Sequence, residues 1–154
     1  MRGYTIAEVL LALGIMAVLV SVAVPALARS RARVNVAAAR DAFAATCALA
    51  QQAAAQYGRL SRLYLDPDAD RFWVTVDTAV RRGTVPVDTV GPLVGLKPSF
   101  GGVQLDGARR TICFDPRGFA TARGDCDLPN ATIVFSRGGI ADTVTLSRLG
   151  RVSR

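Results

Sequence analysis

Histidine is absent from the 154 residues, which removes the commonest general base and the commonest metal ligand from consideration. Lysine is nearly absent as well: 18 of the 19 cationic side chains are arginine. The three cysteines, Cys47, Cys113 and Cys126, are too few and too widely spaced for a zinc site, and no C-x-x-C redox pair occurs. There is no Ser-His-Asp set and no glycine-rich phosphate loop, so an enzyme would have no catalytic apparatus, and neither a metal nor a cofactor is expected. Charge is missing altogether from Val9 through Ala28. Glycine and proline are scarce up to Tyr57; twelve of the 14 glycines and six of the seven prolines lie from Gly58 onward.

The uncharged stretch of 20 residues is long enough to cross a ~30 Å hydrocarbon core as a helix. Arg2 precedes it and Arg29, Arg31 and Arg33 follow it, so counting cations does not orient it. Ala26-Leu27-Ala28 also reads as a small-residue cleavage site, which leaves an exported soluble protein cut after Ala28 as a rival. Glu8 sits at the lip of the apolar run. An ionisable residue at the edge of a spanning segment usually marks a partner.

Gly3-Tyr4-Thr5-Ile6-Ala7-Glu8, followed by the apolar run and Pro25, resembles the class III signal of type IV pilins and type II secretion pseudopilins. The resemblance implies cleavage by a prepilin peptidase after Gly3, methylation of the new N-terminus at Tyr4, and a glutamate, Glu8, as fifth residue of the mature chain. It also implies that Glu8 pairs with the Tyr4 amine of an adjacent subunit and that Pro25 bends the assembly helix. Glycine suits a peptidase that must approach the backbone closely, because it has no side chain to obstruct it. Proline removes one helical hydrogen bond, so a bend or local melting is expected at Pro25.

Arg29 to Tyr57 contains twelve alanines and neither glycine nor proline, which favours a helix continuous with the apolar run. Val36, Phe43, Cys47, Ala50, Ala54 and Tyr57 share one face of it, and Gly58 supplies the stop. Beyond Gly58 the period changes to two: Phe72, Val74 and Val76 alternate within Arg71 to Asp77, as do Ile112 with Phe114, Ile133 with Phe135, and Val144 with Leu146. Asp115-Pro116-Arg117-Gly118 reads as a turn and Ser136-Arg137-Gly138-Gly139 as a hairpin closure. Gly91 to Gly107, rich in glycine and proline, reads as a loop. Asp66-Pro67-Asp68-Ala69-Asp70 has the spacing of a calcium loop, but Arg71 stands where that loop needs glycine, so a solvated turn is expected. Cys113 and Cys126 flank a turn-rich stretch and suit a disulfide in an exported domain, worth roughly 3 kcal/mol in the chain-entropy model. Cys47, in the alanine-rich helix, reads as a small buried apolar side chain.

The fold class is therefore α+β: a long N-terminal α-helix, membrane-spanning in its first half, packed on a C-terminal antiparallel β domain. The expected boundaries are a leader at 1–3, a transmembrane and assembly helix at 4–28, its amphipathic continuation at 29–57 and a β-rich periplasmic domain at 58–154. Thr111 to Gly118, Ile133 to Phe135 and Val144 to Val152 resemble the GspH/FimT branch of pilin-like proteins, which implies a minor pilin or pseudopilin. Its expected partners are a prepilin peptidase, other pilins in a filament and inner-membrane lipid. Members of that branch linked to DNA uptake carry Gly-Arg-x-Arg near the C-terminus. Here Gly150-Arg151-Val152-Ser153-Arg154 places the second arginine one position later, on the opposite face of a strand. Arg137, Arg148, Arg151 and Arg154 are thus DNA-contact candidates, with surface arginines on an arginine-rich protein as the alternative.

Overall fold

The computed structural model describes residues 6–78, 87–127 and 130–153. Helix α1 (Ile6–Tyr57) is 52 residues long, about 78 Å at ~1.5 Å per residue. It is long and apolar enough to cross a membrane, and its apolar window is not buried against the rest of the chain. The helix ends where Gly58 adopts a left-handed φ of 62°, and the Arg59 amide donates to the Ala54 carbonyl at 3.1 Å. That is the six-to-one bond of a Schellman cap, which satisfies a carbonyl otherwise left unpaired.

Two antiparallel sheets pack on the second half of α1. The first joins β1 (Ser61–Asp66), β2 (Arg71–Asp77), β3 (Val87–Gly95), β5 (Arg110–Phe114) and β6 (Ala120–Thr121) in the order β3-β2-β1-β5-β6. The second joins β4 (Gln104–Asp106), β7 (Ala131–Arg137), β8 (Ile140–Leu146) and β9 (Val152–Ser153) in that order. In β7 and β8 the alternation places Ile133, Phe135, Val144 and Leu146 inward, and the two-residue turn Gly138-Gly139 has both φ angles positive, at 57° and 79°. Glycine adopts that pair of angles without strain, which suits this turn to closing the hairpin.

Val36, Phe43, Cys47, Ala50 and Ala54 of α1 meet Leu63, Phe72, Val74, Ile112 and Phe114 of the first sheet and Ile133, Phe135, Val144 and Leu146 of the second. Alanine at Ala39, Ala50 and Ala54, each fully buried, lets the sheets approach the helix backbone closely. Phe43 touches both sheets. Its ring centroid is 5.7 Å from that of Phe72 and 5.8 Å from that of Phe135. Cys113 and Cys126 form a disulfide. Cys47 is buried, and burial pushes its thiol pKa far up, so it stays a neutral packing group.

Three sequence expectations are corrected. Tyr57, assigned to the docking face, is 46 % exposed because the face has run past the sheets by the last turn. Helix α1 runs through Pro25 without a break, so of the two outcomes expected there local melting does not occur. The stretch from Gly91 to Gly107 is not one loop. Strand β3 bulges against β2 between Phe72 and Val74, which absorbs Gly91 and Pro92, and then runs on to Gly95. A single helical turn, α2 (Leu96–Ser99), follows with Leu96 fully buried, and β4 pairs with β7.

The third correction concerns the turn at Pro67 to Asp70, which is a latch rather than a solvated loop. Asp70, at a φ of 45°, accepts from the Leu105 amide at 2.9 Å and pairs with Lys97 at 2.8 Å, tying the first sheet to α2 and to edge strand β4. Asp66 pairs with Arg109 at 3.0 Å and Arg71 at 3.3 Å. Burial pushes the Asp66 pKa up, but the hydrogen bonds and charges of Arg109 and Arg71 outweigh it and hold the carboxyl below its ordinary value. Its contribution to stability is therefore present at neutral pH and lost only as acid passes below that ordinary value.

Candidate functional site

Two surfaces stand out. The first is the free half of α1. Leu10, Leu11, Leu13, Met16, Val18, Leu19, Val20 and Val22 are each more than half exposed, a continuous apolar shaft with Glu8 in the first turn. A shaft of this kind needs either lipid or other helices around it, because so much apolar area in water would be unfavourable. Glu8 is itself exposed and lies at the rim of a shallow hollow with Val9, Ala12, Leu13 and Met16. Gly3 and Tyr4, the expected processing pair, lie outside the described residues, and Pro25 sits within the exposed shaft.

The second surface is built by Gln51, a helix residue that no local sequence signal singles out. Its side-chain amide donates to the Gly150 carbonyl at 2.9 Å and the Gly118 carbonyl at 3.3 Å. The Ala120 amide donates to the Arg148 carbonyl at 3.1 Å. These bonds clamp the turn Asp115–Gly118 against the turn Ser147–Gly150. Space between them is tight: a Cβ at Gly150 would collide with the Gln51 amide and lie 2.8 Å from the Gly118 carbonyl. Glycine is required there on two counts, since its φ is 73°.

The clamp gathers Arg117, Arg148 and Arg151, all exposed, with Phe119 at 44 % and Leu149 at 61 % exposure. Phe119 supplies an aromatic that the tail itself lacks, and Arg117 adds a cation that chain position alone does not group with the tail. Such a cluster can hold phosphates by charge and present a ring for stacking. Arg137 does not belong to it. A Cβ on Gly101 would come within 2.9 Å of both Arg137 Nη1 and Asn35 Nδ2, so the guanidinium lies beside Asn35. Asn35 is 16 residues from Gln51, about 24 Å along the helix. The four candidate arginines lie within 18 residues of sequence, but the β7–β8 hairpin sends Arg137 to one end of its sheet and Arg148 with Arg151 to the other. Arg137 Nη1 is buried without a hydrogen-bond partner among the described residues, and Arg154 lies outside them.

Among the described residues no group of three His, Cys, Asp or Glu side chains is placed to hold a metal ion. No protein-family model matches the chain, and neither a curated protein nor a solved structure does.

Proposed function

We propose that this chain is a minor pilin or pseudopilin: a non-enzymatic subunit held in the inner membrane by one span, with its β domain in the periplasm, and mounted in a type IV pilus or type II secretion pseudopilus. The observation that carries the reading is the Gly3 to Glu8 signal abutting an exposed apolar shaft that continues, without interruption, into the core of an antiparallel β domain. A simple anchor needs no such continuity, whereas a filament subunit must transmit the position of its packed helix to its folded head. The disulfide supports export, since such bonds persist in oxidising compartments. The partners in this reading are a prepilin peptidase, neighbouring pilins and membrane lipid. The mature chain is expected to begin at Tyr4, probed by N-terminal mass spectrometry of protein from cells with and without the peptidase. A start at Arg29 would establish the exported soluble alternative instead.

A second reading, a minor pilin that captures DNA, is favoured by the clamped cluster of Arg117, Arg148, Arg151 and Phe119. Phosphate contacts release counterions, so each arginine removed should weaken duplex binding and lower the slope of log K against log salt by about 0.9. Anisotropy titrations of the full chain in neutral detergent would compare Arg148→Ala and Arg151→Ala with Arg137→Ala. The first two are expected to weaken binding more than the third. Equal weakening by all three would show attraction to net charge rather than to a site.

A further inference from the structure

Between Glu8 and Asp41 the chain has no acidic residue, yet three arginines, Arg29, Arg31 and Arg33, follow the apolar run directly. All three are exposed, and none makes an ion pair among the described residues. The nearest carboxylates cannot serve them without cost, because Arg40 already holds Asp41 at 2.9 Å and Asp142 at 2.7 Å. Geometry sets where these arginines lie. If Val9 to Ala28 fills the ~30 Å hydrocarbon core, the next residues enter a headgroup layer about 5 to 7 Å deep on that side. Arg29, Arg31 and Arg33 fall roughly 1.5 to 7.5 Å beyond Ala28 along the axis, within or at the edge of that layer. At 100° per residue Arg29 and Arg33 share one side of the helix and Arg31 takes the opposite side, so the charges ring the helix. The folded body begins at the same level: Ala32 is the first buried residue, followed by Val36.

We infer that Arg29, Arg31 and Arg33 form a collar that binds the phosphate groups of anionic phospholipids in the leaflet facing the β domain. The inference rests on the membrane span in the proposed function, and not on assembly into a filament. Lipid is the occupant because the collar is contiguous with the apolar shaft, where acyl chains already cover the helix and bring headgroups to the level of the guanidinium groups. Arginine suits the task, since its planar fork contacts phosphate oxygens in pairs. The collar also identifies a cost of leaving the bilayer. A subunit drawn out of the membrane must give up these headgroups, so local lipid composition would set how readily it is released.

The test uses the full chain in vesicles of equal parts phosphatidylglycerol and phosphatidylcholine, extracted into neutral detergent, with retained lipids counted by native mass spectrometry. Wild type should retain phosphatidylglycerol over phosphatidylcholine by roughly fivefold or more, given the attraction of juxtamembrane cations for anionic headgroups. The variant with Arg29→Gln, Arg31→Gln and Arg33→Gln should fall to near parity, while Arg59→Gln with Arg123→Gln, outside both arginine groups, should keep the wild-type ratio. No enrichment in wild type, an unchanged ratio in the triple variant, or an equal fall in the distal variant would each overturn the collar. Loss of enrichment in inorganic phosphate, but not in chloride of the same ionic strength, would make it a site for free phosphate and overturn the lipid assignment. Wild-type chain that washes off vesicles in alkaline carbonate would overturn the span itself. A chain that stays embedded without lipid preference would overturn the collar alone.

Discussion

Truncating Phe43 to alanine is expected to destabilise the β domain by about 3 to 5 kcal/mol, the cost typical of removing a buried aromatic side chain. Phe43 has no exposed surface and, among the described residues, is the one ring that contacts a ring of each sheet, Phe72 on β2 and Phe135 on β7. Both contacts lie in the distance range where aromatic pairs add roughly 0.5 to 1.5 kcal/mol beyond area burial. Alanine would leave a cavity where the helix and both sheets converge, and the three elements cannot all collapse into it. A domain of this size has about 5 to 15 kcal/mol in total, so the variant should unfold at much lower denaturant. Trp73 is the only tryptophan and stacks on Tyr64 at 5.2 Å between centroids, so its fluorescence reports unfolding of the first sheet. The comparison is Phe119→Ala, which removes an exposed ring and should change stability by only about 0.5 kcal/mol. Similar denaturation midpoints for the two variants would mean that the helix is not held through Phe43.

Replacing Glu8 by alanine is expected to leave processing and membrane insertion intact and to reduce incorporation into filaments at least tenfold. Glu8 lies in the first turn of a helix whose exposed apolar side chains would pack against neighbouring helices, and a mature N-terminus at Tyr4 would provide an amine at nearly the same level. At an effective dielectric of ~20, unit charges ~4 Å apart attract by about 4 kcal/mol before desolvation is subtracted. If only about 1.4 kcal/mol survives, the incorporation equilibrium changes tenfold. Glu8→Gln keeps the shape and the hydrogen-bonding capacity but not the charge, so it should fail nearly as badly. Immunoblots of sheared filaments against the membrane fraction give the ratio directly. Normal incorporation of both variants would assign the carboxylate another purpose.

What the sequence made legible was local. The period of Val36, Phe43, Cys47, Ala50 and Ala54, the alternation through β2, the stop at Gly58 and the Gly138-Gly139 turn each reside within a few residues, and each is found in the structure as read. What was not legible depended on partners far along the chain. Asp70 looked solvated because its ligands, Lys97 and the Leu105 amide, are 27 and 35 residues away. Gly91 and Pro92 looked like loop because nothing near them announces that β2 would tolerate a bulge opposite. The spatial grouping of the arginines was hidden for the same reason. Chain proximity grouped Arg137 with Arg148 and Arg151, while the bonds from Gln51 that bring in Arg117 and Phe119 span 67 and 99 residues.

The unbroken passage of α1 from shaft to core has a mechanical meaning. Its buried residues run from Ala32 to Ala54, a length of about 33 Å or six turns set against the two sheets. A pull on the shaft is directed along the helix axis, so it loads that whole contact in shear, all turns at once, instead of peeling it open one turn after another. Gln51, bonded sideways to two turns of the β domain, acts as a crosspiece against sliding. Tension along the helix is thus borne by the whole contact from Ala32 to Ala54 and not by any single turn of it.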